Sequence, residues 1–154
     1  MTDVYSAPGS ELSRPKKGNK WIAIIVGVAV DYGLSTLSGM ILGVVLTFRL
    51  LRQGMPQSEV QAHLAQQVGD VMHSGLGYGL SAMGLLFTFL GSYLAARIAN
   101  DKEYRVATIL VAVSVVMFLR NGNTYFPAWL HYCLFVLNTS VIYLGAYFHV
   151  SNKV

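Results

Sequence analysis

The chain has 154 residues, 54% of them hydrophobic and 12% charged, whereas soluble domains carry about 25% charged residues. That deficit, with a mean hydropathy of +0.50, excludes an ordinary water-exposed globule and points to a surface that faces lipid. A formal charge of +4 could suit nucleic acid, but no basic face interleaved with aromatics exists to read it, so no nucleic-acid partner is expected.

Residues 1–20 hold Pro8, Gly9, Ser10, Pro15 and Gly18 with Arg14, Lys16, Lys17 and Lys20. With no apolar period, they are predicted to form a disordered cytoplasmic tail. The first membrane span is predicted over 21–48, opened by the interfacial Trp21 and closed by Arg49 and Arg52. It is far longer than the h-region of a signal peptide, about 7–15 residues, and reads as an uncleaved helix. Residues 56–73 are too polar to span. Val60, Leu64, Val68 and Val71 recur there at helical spacing, with Glu59, Gln61, Gln66 and Gln67 on other faces, which predicts a short amphipathic helix.

Further spans are predicted over 76–98, 104–120 and 127–150, with 151–154 a cytoplasmic end. The third is short: its uncharged part, Val106 to Leu119, falls below the usual span of about 17–25 residues, so Arg105 and Arg120 would have to snorkel. The link from Asn100 to Glu103 makes the second and third spans an antiparallel hairpin. With the N-terminus inside, the inner side carries Arg14, Lys16, Lys17, Lys20, Arg97, Lys102, Arg105 and Lys153, and the outer side only Arg49, Arg52 and Arg120. The excess places both termini in the cytoplasm. The predicted fold is therefore all-α: a polytopic membrane protein, a four-transmembrane-helix bundle with a short amphipathic helix between helices one and two.

The second span carries a seam of small residues, Gly77, Ser81, Gly84, Thr88, Gly91 and Ala95, at alternating spacings of four and three. In lipid such residues let helix backbones approach, so Gly84→Leu is expected to weaken packing at the bundle centre. Asp31 lies eleven residues past Lys20, about 16 Å along the helix and near the midplane. A carboxylate at that depth costs about 2.5–3.5 kcal/mol on insertion scales, so a partner is required. Ser35 and Ser38 share its face. Asn138, eleven residues past Pro127, reaches the same depth on the last span, where His131 shares its face. Thr88 and Ser114 fall at similar depth. An intramembrane polar layer of Asp31, Ser35, Ser38, Thr88, Ser114, His131 and Asn138 is expected, with Asp31 hydrogen-bonded to Asn138.

Other patterns carry less. His63, Asp70 and His73 have ligand types but lack the spacing of a metal cage. Gly77-Tyr78-Gly79 lacks the Thr-Val of a potassium filter. Asn138-Thr139-Ser140 matches a glycosylation site but lies mid-membrane. Cys133, inside an apolar run, is expected to be a small buried hydrophobe. No cofactor, metal or catalytic constellation is predicted.

Tyr5-Ser-Ala-Pro-Gly-Ser-Glu11-Leu12 resembles the opening tail of small bacterial inner-membrane proteins. Gly91-Ser-Tyr-Leu-Ala-Ala-Arg-Ile-Ala99 is similar to the end of a helix in uncharacterised four-helix members of that group. The resemblance implies a bacterial inner-membrane location and no particular activity. The functional expectation is a structural, accessory or partner-binding membrane component, its partner a membrane protein or a second copy of itself. The alternative is a small transporter or channel component using Asp31 as a titrating group.

Overall fold

The computed structural model describes residues 18–121 and 127–152. Residues 1–17 of the predicted tail, most of the predicted turn before the last span, and the final two residues lie outside that range. Among the described residues the chain is all helical: α1 (Lys20–Arg52), α2 (Gln57–Met72), α3 (Gly75–Ala99), α4 (Glu103–Asn121) and α5 (Ala128–Ser151).

Local chemistry sets the boundaries. The Asn19 side chain accepts hydrogen bonds from the backbone of Trp21 at 3.0 Å and Ile22 at 3.4 Å, satisfying donors that the first turn of α1 leaves orphaned. The Lys20 ammonium sits 5.2 Å over the Trp21 ring. α1 runs past the predicted limit of 48 because nothing breaks it before Gln53 and Gly54, and Gly54 takes the left-handed φ of +81° that ends helices. Asn100 does the same for α3 with φ 56°. On α2, Val60 is buried and Leu64, Val68 and Val71 half-buried, while Glu59, Gln61 and Gln66 are exposed; Gln67, expected on the polar faces, is half-buried with its Oε1 enclosed, because it adjoins Val68 at the edge of the apolar face. Its C-terminus is closed by His73, whose Nδ1 lies 2.8 Å from the Gly69 carbonyl, and by the Ser74 hydroxyl, which donates to the Val71 carbonyl at 2.6 Å.

α3 is the hub. It packs against every other helix, whereas α1 and α5 do not meet, so they flank α3 on opposite sides. α4 lies across α1, α3 and α5. Two close crossings hold the row together. A Cβ on Gly91 would stand 2.7 Å from the Gly27 carbonyl of α1, and one on Gly145 of α5 would stand 3.0 Å from the Phe89 carbonyl and collide with the Ser92 hydroxyl. Only glycine permits backbones this close, which is how helices gain dispersion energy in lipid.

The packed core sits at one end of the bundle. Ala23 and Ile24 at the start of α1, Ala95, Ala96 and Ala99 at the end of α3, Val106, Ala107 and Leu110 early in α4, and Ile142 and Ala146 late in α5 form one buried cluster. Toward the other end Leu46 and Leu50 of α1 and Val60 of α2 are buried, but between the two ends α3 loses its close neighbours. Ser81 and Gly84 on α3 are only half-buried, and a Cβ on Gly84 would meet nothing within 4 Å. The seam is thus packed from Thr88 to Ala95 and open at Ser81 and Gly84. Gly77 is buried against the backbone of Met72, in the turn that leads into its own helix.

Three helices, α1, α3 and α5, are long and apolar enough to cross a membrane. α4 has 19 residues and carries Glu103, Arg105 and Arg120 at its ends, so its apolar stretch alone is shorter than a usual span. Large apolar side chains such as Ile25, Met40, Phe48, Leu86, Leu119 and Val136 stand exposed around the bundle, far beyond what a water-soluble surface tolerates in contiguous patches. Cys133 is exposed on α5 rather than buried. The apolarity of its run reflects the outer surface of the bundle and not a core.

Candidate functional site

The site lies where the packed end gives way to the loose stretch of α3. Because α1 and α5 sit on opposite sides of α3, the polar residue of α3 stands between theirs. The hydroxyl of Thr88, itself only 5% exposed, lies 3.0 Å from Asp31 Oδ1 and 2.9 Å from Asn138 Oδ1. It also lies 3.2 Å from the Gly84 carbonyl one turn back on its own helix. Asp31 and Asn138 are therefore joined through Thr88, where the sequence suggested a direct bond.

One hydroxyl proton cannot serve three acceptors at once. With Asp31 ionised, Thr88 donates to the carboxylate and the Asn138 amide turns to present its NH2 to the Thr88 oxygen. With Asp31 protonated, the carboxyl donates to Thr88, which donates onward to Asn138 or Gly84. The amide oxygen and nitrogen exchange by a half-turn of the side chain. The three groups can thus carry either protonation state of Asp31 by reversing the direction of two hydrogen bonds.

Beside this chain lies a cavity of about 290 Å³ walled by α1, α3, α4 and α5. It exists because α4 roofs the groove that α1 and α5 leave over α3. Asp31, Thr88 and Asn138 line it together with Ser35, Ser92, Ser114 and His131. The apolar wall includes Val28, Leu110, Met117, Phe118 and Ile142. A second space of about 350 Å³ shares Asp31, Ser35, Thr88, Phe118, His131 and Asn138 and continues along α3 to Gly84 and Ser81. Tyr32, Ser35 and Met117 are exposed, so the first cavity has a lateral mouth between α1 and α4.

The predicted polar layer divides in two. Asp31, Thr88 and Asn138 are in contact, and Ser35, Ser114 and His131 stand around the same space without side-chain hydrogen bonds among the described residues. Ser38 instead faces a recess of about 200 Å³ with Met72 of α2, Ser81 and Gly84. The His131 ring is stacked on Phe118 of α4, centroids 4.3 Å apart, and Phe135 packs on the same ring at 4.4 Å. Phe118 had no polar signal to single it out; it matters because it ties α4 to α5 at the edge of the cavity. Of the seam, Gly91 brings α1 close enough for Asp31 to reach Thr88, its missing Cβ leaving room 3.3 Å from the Asp31 Cβ. Ser81 donates to the Gly77 carbonyl at 2.9 Å and takes no part in the chain of three.

Arranged this way, the site can hold a proton or a small polar group inside an otherwise apolar bundle. Compared with known proteins, the chain matches no family model, no curated protein and no solved structure.

Proposed function

We propose that the chain is a multi-pass protein of a bacterial inner membrane, with four crossings and both ends in the cytoplasm, that works as a small transporter or channel component with Asp31 as its titrating group. The observation that carries the reading is the cavity beside Asp31. A carboxyl at that depth is expensive, and a packed bundle would have closed around it. Here it borders open space that continues along α3. Among the described residues lining the cavity the other titratable side chains are Tyr32 on α1 and His131 on α5; α3 and α4 contribute none. The fourth crossing is α4, whose terminal arginines would snorkel to the headgroups, and the excess of Lys and Arg on the N-terminal side supports the orientation.

The test is made on the full chain in proteoliposomes. Dicyclohexylcarbodiimide, which adds to carboxylic acids in apolar surroundings, should modify Asp31 and no other carboxyl, as read by mass spectrometry. Proton flux reported by an internal pH dye should be lost in Asp31→Asn while the far-ultraviolet circular dichroism is unchanged. Flux equal to wild type in that variant would remove Asp31 from the transport path.

A second reading rests on the hydrogen-bond chain itself. Three helices joined by one hydroxyl make a register clamp, and the bare apolar faces of α1 and α5 suit a partner-binding or accessory component of the membrane, with a second copy or another membrane protein as partner. On that reading Asp31→Asn keeps full function, because an amide still bonds Thr88.

A further inference from the structure

We infer that the cavity beside Asp31 takes a small organic monocation with an apolar body, an amine or quaternary ammonium, which arrives from the bilayer through the gap between α1 and α4. The inference rests on reading the cavity as a binding site and names what it selects.

Charge comes first. Among the described residues Asp31 is the one acidic side chain lining the cavity, and no lysine or arginine lines it. A bound anion would be repelled by the Asp31 carboxylate and would have His131 alone among the described lining residues to turn to, whereas a monocation would neutralise that carboxylate in low dielectric. Hydrogen bonding agrees. Oδ1 of Asp31 is held by Thr88, while among the described residues Oδ2 accepts nothing. Thr88 thus fixes the carboxyl by one oxygen and leaves the other for a guest. Ser35 and Ser114 bring further oxygens with spare capacity to the same wall.

Shape and walls set the body of the guest. At about 290 Å³ the cavity is at the small end of ligand pockets, which run from about 300 to 1,000 Å³. It has room for one ring and a short head. The rings of Tyr32 and Phe118 and the side chains of Val28, Leu110 and Ile142 would cover apolar carbon. A bare inorganic ion would leave that surface without a partner. The route follows from the mouth: Tyr32, Ser35 and Met117 at the rim are exposed on the sides of two helices, so a solute that partitions into lipid meets the opening directly. Aromatic faces beside a carboxylate are a general arrangement for ammonium groups.

The experiment uses the full chain in phosphatidylcholine nanodiscs, with empty discs as background. Benzyltrimethylammonium is the cation, its uncharged carbon isostere neopentylbenzene the neutral control, and benzenesulfonate the anion. Saturable one-to-one calorimetric binding of the cation is expected, with affinity about tenfold or more above the neutral isostere. Asp31→Asn should remove that preference, and Ser114→Phe, which fills the cavity from α4 and leaves the carboxyl in place, should abolish binding. The cation should also protect Asp31 from carbodiimide. Equal binding of cation and isostere, or Asp31→Asn binding like wild type, overturns the inference. Carbodiimide modification of Asp31 without cation binding overturns it alone and leaves a proton path standing. Absence of both modification and binding overturns the site in either sense.

Discussion

Thr88 concentrates the chemistry of three helices in one hydroxyl. Removing Asp31's charge while keeping its shape, as in Asp31→Asn, should cost little stability. Coupling between membrane side chains averages about 0.6 kcal/mol and rarely exceeds about 1.7. Thr88→Val should cost more, about 1–3 kcal/mol, because it leaves both a carboxyl and an amide without a partner in low dielectric. Reversible unfolding in mixed micelles measures both, and a Thr88→Val variant as stable as Asp31→Asn would show that the hydroxyl is not the bridge. Counting from the charged flanks of the sequence brings Asp31, Thr88 and Asn138 to one level, and the three are in contact. Their order across the bundle was not legible in the sequence. Depth says nothing about which helix stands in the middle, and that decides that Asp31 bonds Thr88 and not Asn138. His131 was found by its type, but Phe118 was hidden among the apolar residues of α4.

Helix α3 shows what periodicity encodes and what it leaves out. The alternation of four and three from Gly77 to Ala95 picks out a face on which Gly77, Thr88, Gly91 and Ala95 are buried and Ser81 and Gly84 half-buried. It cannot say how far along that face a neighbour stays close, since divergence is a property of pairs of helices. Gly91→Leu should therefore strongly destabilise the protein, because the Gly27 carbonyl leaves no room for even a Cβ. Gly84→Leu should fold, because its side chain enters open space. Thermal unfolding in detergent separates the two, and equal loss from both would mean the helices stay close at Gly84. Cys133 teaches the complementary lesson. In a membrane chain an apolar neighbourhood marks lipid as readily as core, so burial could not be read from it. The limits of α2, in contrast, were legible because water and helix period act together on its side chains.

The bundle is tight where Ala23, Ala95 and Ala146 pack and loose along α3 at Ser81 and Gly84, while Leu46 and Leu50 of α1 and Val60 of α2 are buried again beyond. Amide hydrogen exchange should follow that contrast, with backbone around Ala95–Ala99 and Ala107–Leu110 protected longest and Leu80–Leu85 exchanging sooner; uniform protection along α3 would contradict the divergence. Reporter fusions after residues 20, 55, 102, 124 and 154 check the proposed crossings, with 20, 102 and 154 expected on the cytoplasmic side. A fusion at 154 reporting from the opposite side to 20 would remove one crossing, and α4 is the one in question. The unequal helices carry a mechanical consequence. The apolar run of α1 from Trp21 to Phe48 is about 42 Å long, that of α4 from Val106 to Leu119 about 21 Å, and a hydrocarbon layer about 30 Å. On the proposed four-crossing reading no single bilayer thickness suits both, so α1 would lean and the lipid beside α4 would thin, at fractions of a kcal/mol per Å. The thinned patch would adjoin the mouth between α1 and α4, so acyl-chain length becomes a lever on how readily that mouth is reached. Short-chain lipids should gather there, and reconstitution across a series of chain lengths should give an optimum on the short side.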